Sequence, residues 1–247
     1  MKLRTWMQVG LIGLLPLLLS HTVRAENNCV TCHQSLAPSS GRAHDFKEWK
    51  RSVHADKGIT CEKCHGGNPT LKDAHKAHQG IVKPGLAESP LYFTKIPETC
   101  GACHAAELNA FKQSVHYKEL KRSGRGPNCL TCHGSMATTI LKPKQLAQSC
   151  STCHAQRKDA DEALVNLNLA GVTLKNWEKM ISHLKAAGQN TADTEKSYAT
   201  ELAAYHDAQR TWHSFKVGEV TKLSKKIVTV GKKEMQDLQL KKGQYGH

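Results

Sequence analysis

The stretch "CVTCH" at residues 29–33 is the first of five copies of one word, Cys-x-x-Cys-His, and these copies decide how the chain folds. All ten cysteines of the sequence belong to such copies, and a histidine follows the second cysteine every time. The word is the attachment motif of c-type haem: two thiols bind the porphyrin, and the histidine is the proximal iron ligand. The copies are Cys29–His33, Cys61–His65, Cys100–His104, Cys129–His133 and Cys150–His154.

Two other roles for paired cysteines explain the pattern less well. A disulfide scaffold is common in exported proteins, but it gives no reason for the five histidines. A zinc ion needs four ligands, so five cysteine pairs would leave one pair unmatched. We therefore predict five covalently bound haem c groups. The attachment residues are Cys29, Cys32, Cys61, Cys64, Cys100, Cys103, Cys129, Cys132, Cys150 and Cys153, and the proximal ligands are His33, His65, His104, His133 and His154.

The composition agrees with an interior built from haem. Aromatic residues make up 5% of the chain and the mean hydropathy is −0.51, which leaves little apolar material for a core. The formal charge is +14, or +11 without residues 1–25, which hold Lys2, Arg4, Arg24 and no acid. Ten haem propionates would offset most of this charge, leaving about +6 in the oxidised and about +1 in the reduced holoprotein. The basicity therefore does not indicate nucleic-acid binding.

Three segments are expected along the chain. Residues 1–25 combine a basic start, a short apolar run at 9–20 and "VRA", which predicts a signal peptide rather than a membrane anchor. The mature chain should then be exported, to the periplasm or beyond, without a membrane-spanning helix. Residues 26–155 form the haem-binding region, and residues 156–247 a helical C-terminal region. We expect a mainly α, loop-rich multihaem cytochrome c with long helices in its C-terminal third.

An internal repeat indicates where the second, distal iron ligands lie. "WKRSVH" at 49–54 and "FKQSVH" at 111–116 each stand between two attachment words. Each stretch forms one repeat unit with its two flanking attachment words, so the sequence predicts two haem-pair modules followed by a fifth haem. Both stretches are expected to be helical, with Trp49 or Phe111 packing on porphyrin. His54 and His116 are the first candidates for distal ligands.

Other histidines outside the attachment words are weaker candidates. His75 and His78 lie one helical turn apart in a Pro-rich stretch predicted to be loop, so at most one should ligate. His206 and His213 are seven residues apart on one helix face, and His183 ends the preceding helix. Methionine is scarce, so bis-histidine ligation is the economical interpretation. The remaining distal candidates are His44, His75, His78, His183, His206 and His213.

The C-terminal segment contains no proline and is rich in Lys, Ala and Leu, which predicts long helices. One should run over about 157–186 and end at "AAGQN". A second should begin near Thr191 or Asp193 and continue beyond Phe215. Residues 222–242 are expected to be a solvated basic face that guides acidic redox partners.

The attachment words, the Ser-Val-His helices and "CHGG" at 64–67 together resemble the exported multihaem cytochromes c. The resemblance is to the superfamily of cytochrome c-554, hydroxylamine oxidoreductase and pentahaem nitrite reductase, and in the His-then-CHG pattern to decahaem electron conduits. It implies haems stacked so that electrons hop between them. The pentahaem nitrite reductases typically use a Cys-x-x-Cys-Lys word, which is absent here, and this favours a carrier over a catalyst.

Three functional hypotheses follow. The first is electron transfer between redox partner proteins by a carrier with mainly bis-histidine haems. The second is an oxidoreductase that acts on a small nitrogen or sulfur compound at one open haem. The third is a subunit of an extracellular cytochrome filament, with some distal ligands supplied by a neighbouring copy.

Haem content is directly testable. We expect the purified native protein to carry five covalent porphyrins by intact mass spectrometry, because each attachment word holds one through two thioether bonds. Alkylation under denaturing conditions should modify no cysteine. A protein without added porphyrin, or with cysteines paired to each other, would end this interpretation.

Overall fold

The computed structural model describes residues 26–36, 46–155 and 157–244. These residues form thirteen helices without a β-strand, which confirms the mainly α, loop-rich class. The predicted signal peptide lies outside the described residues. The helices are α1 Asn28–His33, α2 Phe46–Lys50, α3 Val53–Asp56, α4 Glu62–His65, α5 Ala74–Ala77, α6 Ile96–Gly101, α7 Ala105–Lys112, α8 Val115–Ser123, α9 Cys129–His133, α10 Pro143–Ser151, α11 Lys158–Ala186, α12 Ala192–Trp212 and α13 Val217–Gln244.

The last three helices form a bundle with a side-chain core of its own. Along α11 the buried positions recur at helical spacing, so one stripe of this helix faces α12 and α13. Trp177 is fully buried at the centre, and its Nε1–H donates to Thr194 Oγ1 at 2.9 Å. The main cluster consists of Ala170, Leu174, Trp177, Ile181, Ile227 and Val228. The predicted end of α11 is confirmed, with Gly188 in the left-handed conformation at φ 72°.

The prediction for residues 222–242 was incomplete. This stretch belongs to α13, and one side of it is buried against α11 rather than solvated: Ile227 is 0% and Val228 is 9% exposed. Gly231 permits the close approach, because a Cβ there would lie 2.7 Å from Thr173 Cγ2. The lysines lie on the outer side, where Lys225 Nζ contacts Glu162 Oε1 at 2.7 Å.

The predicted continuation of the second long helix beyond Phe215 was wrong. Helix α12 ends at Trp212, and α13 begins at Val217. Phe215 in the intervening turn has φ 59°, and it is the non-glycine residue with positive φ in the described part of the chain. A residue in this left-handed conformation cannot continue a right-handed helix. The break directs α13 back along α11 and places the turn beside α8, where Phe215 contacts His116.

Two helix–helix contacts, besides the turn at Phe215, connect the bundle to the haem-binding region. Helix α12 packs against α7, and α10 packs against the start of α11. At the second contact, Leu146 of α10 joins a cluster of buried residues around Ala163 and Trp212. The bundle therefore holds the end of α12 in place beside the attachment words.

Stability of the bundle should depend on Trp177. Trp177→Ala should lower the free energy of unfolding by about 3–5 kcal/mol, because it empties a closed site. Thr194→Val should cost about 1–3 kcal/mol, because it leaves the indole N–H buried without an acceptor. Denaturant unfolding of the holoprotein, followed by circular dichroism, measures both. Val172→Ala on the same helix, where Val172 is 48% exposed, should change little. Equal losses at positions 172 and 177 would contradict this account of the core.

Candidate haem-binding sites

The two Ser-Val-His stretches each contain a helix break, where sequence analysis expected one continuous helix. Ser52 separates α2 from α3, and Ser114 separates α7 from α8. Each serine is buried and caps the next helix: Ser52 Oγ accepts from the Ala55 N–H, and Ser114 Oγ from the Tyr117 N–H. Serine competes for backbone hydrogen bonds in this way, and this explains the break. Each histidine therefore lies in the first turn of a newly started, capped helix.

Four attachment-word histidines each face one histidine from elsewhere in the chain. The ring centroids are 6.0 Å apart for His33 and His78, and 6.2 Å for His104 and His54. They are 6.2 Å apart for His133 and His213, and 5.9 Å for His154 and His116. Sites are numbered here by attachment word, so these pairs define sites 1, 3, 4 and 5, and His65 defines site 2.

The spacing of the pairs fits one metal ion between two imidazoles. An imidazole nitrogen binds a metal at about 2.0–2.1 Å, and the ring centre lies about 1.1 Å further, so two opposed ligands have centroids about 6.2–6.4 Å apart. The four observed distances, 5.9–6.2 Å, lie at or just below this range. Direct ring contact would bring stacked rings closer together. The residues present therefore fit a haem iron held from both sides.

The surroundings favour neutral imidazole, the form that ligates metal. Burial, followed by the neighbouring His104, lowers the pKa of His54. Burial lowers the pKa of His116, with further contributions from His154 and Arg157. Burial is also the main cause of the lowered pKa of His213. These three rings thus remain unprotonated over a wider pH range than a free histidine.

Each Ser-Val-His histidine faces an attachment word further along the chain, rather than one of the two words that flank its own stretch. His54 lies between the first and second attachment words but faces the third, and His116 lies between the third and fourth but faces the fifth. The backbone supports this offset, because the Val53 N–H donates to Thr138 O, just past the fourth word. The repeat in the sequence is therefore also a repeat of interlocking contacts between units.

The remaining candidates occupy different positions. His75 and His183 are exposed, and so is His206, whose Nδ1 lies 3.2 Å from Gln209 Oε1. Within the described residues, none of these three forms a ring pair with an attachment-word histidine. His44 lies outside the described residues. Of the neighbouring histidines His75 and His78, His78 faces His33.

Successive attachment words lie next to each other in space. Asn27, before the first word, donates through Nδ2 to Glu62 Oε2 in the second at 3.0 Å. Helix α6 of the third word contacts α9 of the fourth, which contacts α10 of the fifth. The pKa shifts of the cysteine thiols agree with this order, because cysteines of neighbouring words affect one another. Burial and nearby Cys29 raise the pKa of Cys61 to about 11, and burial with nearby Cys100 raises that of Cys64. The five sites thus follow one another in chain order.

Ring orientation depends on contacts that sequence analysis missed. His78 Nδ1 lies 2.7 Å from Ala74 O, and His213 Nδ1 lies 3.1 Å from Gln209 O, both one helical turn earlier. His133 Nδ1 lies 2.9 Å from Thr139 O in the loop after α9. The first two contacts follow from helical spacing and could have been anticipated. The third depends on a loop conformation, which no local pattern indicated.

Comparison with known proteins gives two matches. A family model described as cytochrome c552 matches residues 40–125, which contain the second and third attachment words and both Ser-Val-His stretches. The C-type polyheme cytochrome OmcC of Geobacter sulfurreducens is 22% identical over 127 residues, covering 51% of this chain. The aligned part spans 14% of that relative's own length. No solved structure matches the chain.

Together with the attachment words, these similarities support the interpretation of the chain as a multihaem c-type cytochrome with covalently bound haem. Its helices fit this class, since short helices present the attachment words and a separate bundle supports them. None of the helices in the described ranges is long and apolar enough to cross a membrane.

The serine caps should control how firmly the repeated histidines are held. Ser52→Ala and Ser114→Ala should each destabilise the protein by about 0.5–2 kcal/mol, because a cap is lost at a buried helix start. Each should also raise the fraction of high-spin haem in the absorption spectrum. Ser182→Ala is a matched control, since its hydroxyl contacts Glu178 O within α11. If all three variants keep the wild-type spectrum, the caps do not position the ligands.

Proposed function

We propose that the chain is an exported electron carrier in which five covalent haem c groups, closed on both sides by histidine, pass electrons between redox partner proteins. The four histidine pairs at 5.9–6.2 Å are the observation on which this proposal depends. A closed iron has no free position for a substrate, whereas a catalytic haem needs one. The predicted signal peptide supports export.

His44 is the distal ligand we propose for site 2. The sequence places it two residues before α2. Helix α2 is tied to the chain just before Cys61, because Trp49 Nε1–H donates to Ile59 O at 3.2 Å. This contact keeps the short helix α2 near the second attachment word. The ligand of site 2 would then come from the sequence just before α2.

The protein's own residues have three tasks in electron transfer. When bound, each haem supplies an iron that cycles between the ferric and ferrous states. The cysteines fix each group to its short helix, and the paired histidines set ligation and keep small molecules from the metal. The contacts between successive attachment words keep neighbouring sites close, so site 1 and site 5 become the two ends of a path in chain order.

Magnetic resonance distinguishes the carrier from its rivals. Electron paramagnetic resonance of the oxidised holoprotein should show low-spin signals only, unchanged by nitrite or hydroxylamine. A high-spin signal that either compound alters would support the oxidoreductase at an open haem instead. Polymers in electron micrographs, with unfilled iron positions in the isolated monomer, would support the filament subunit.

Removal of one distal histidine should open one site. His54→Ala and His116→Ala should each convert one haem of five to high spin and allow it to bind carbon monoxide in the reduced state, because the sixth ligand is lost. Carbon monoxide titration followed by absorption measures the fraction, and His75→Ala and His206→Ala are matched controls. If His75→Ala or His206→Ala allowed carbon monoxide to bind and His116→Ala did not, these distal assignments would be wrong.

A further inference from the structure

The turn between α12 and α13 reaches two neighbouring haem sites. His213 in this turn faces His133 of site 4. Two residues later, the Phe215 ring stands perpendicular to that of His116 of site 5, with centroids 4.3 Å apart. Phe215 also contacts Phe111, which packs on Tyr117, the residue after His116. Phe215, whose backbone is in the left-handed conformation, therefore packs against His116, the proposed distal ligand of site 5. It also lies two residues after His213, the proposed distal ligand of site 4.

The ligands of these two sites differ in their hydrogen bonding. At site 4 both rings have a carbonyl beside Nδ1: Thr139 O for His133 and Gln209 O for His213. At site 5 the Nδ1 of His116 is buried without a hydrogen-bond partner among the described residues. Its aromatic neighbour Phe215 offers no lone pair. When Nε2 binds a metal, Nδ1 carries the ring proton, so His116 keeps a proton that it shares with no acceptor.

This difference has a known electronic consequence. A hydrogen bond from the ring N–H to an acceptor makes a ligating imidazole more basic, and a more basic ligand stabilises the ferric state. Site 4 has this stabilisation on both sides, and site 1 has it at least at His78. The distal ligand of site 5 lacks it, so ferrous iron is favoured there relative to site 4.

We propose that Phe215 is a positioning residue that holds His116 away from any acceptor and so gives site 5 a higher reduction potential than site 4. With haem bound at both sites, an electron supplied by a reduced partner protein would pass from site 4, which would be oxidised from ferrous to ferric, to site 5, which would be reduced from ferric to ferrous. This step is downhill and favours net transfer toward the C-terminal end of the path. The inference rests on the proposed bis-histidine carrier function.

The wild-type holoprotein provides the first test. A redox titration followed by nuclear magnetic resonance can assign each haem through contacts of its methyl protons with its own attachment word. The haem at Cys150–His154 should be reduced at a higher potential than the haem at Cys129–His133. The opposite order, or equal potentials, would overturn the inference. If the haem at Cys150–His154 were instead high-spin, the proposed function itself would be wrong.

Two substitutions of Phe215 distinguish the effect of a hydrogen-bond acceptor near His116 from the effect of lost ring packing. Phe215→Gln introduces an amide oxygen near His116, whereas Phe215→Leu leaves the position apolar, and both must adopt the same left-handed backbone. Phe215→Gln should lower the ferrous-to-ferric ratio of site 5 by about tenfold at a fixed potential, which corresponds to about 59 mV for one electron. Phe215→Leu should shift it much less.

Spectra of the same variants test the positioning role. The low-spin resonance of site 5 should change in both variants, because the contact that orients the His116 ring is lost, while the resonance of site 1 stays unchanged. Haem content by mass spectrometry confirms that each variant is loaded. Equal potentials in the Gln and Leu variants, or a resonance of site 5 that neither variant moves, would show that Phe215 does not set the properties of this site.

Discussion

The structure depends on pairs of imidazole rings held 5.9–6.2 Å apart, each pair joining an attachment word to a distant part of the chain. In the proposed holoprotein, one iron between two such rings would bond both, so each haem would cross-link segments far apart in sequence. The described part of the haem-binding region has few buried apolar side chains, among them Ile96, Phe111 and Leu120. Metal ligation would then supply the long-range contacts that a side-chain core supplies elsewhere, in line with the coupling of metal binding to folding.

The interlocking of the repeat explains why the two Ser-Val-His stretches are alike. Each must end one helix and begin another at the point where its histidine meets the next unit. A buried serine achieves this by capping the new helix, and the histidine two residues later faces an attachment word further along the chain. The second unit isolated from the first would lack His54, the ring that faces its first attachment word, so the haem-binding region is best understood as one body.

The C-terminal bundle has a different basis and a supporting role. Its core is made of side chains packed around Trp177. Because α12 packs on α7, the bundle fixes the turn at 213–215 with respect to sites 4 and 5. The ring pair of His213 with His133 and the contact of Phe215 with His116 thus depend on a single turn between two packed helices.

The sequence by itself determined the helical class and predicted the haem attachment residues and the proximal ligands, because these depend on local spacing that survives without a tertiary structure. It also indicated His54 and His116 as special, and it missed the helix breaks beside them, since a serine inside a helical pattern is ambiguous until its hydroxyl meets a backbone N–H. Only the tertiary structure decided which histidine faces which attachment word. His54 and His104 are fifty residues apart, and their meeting depends on how several short helices pack. The unpartnered Nδ1 of His116 is likewise a property of three-dimensional surroundings, which no local spacing can specify.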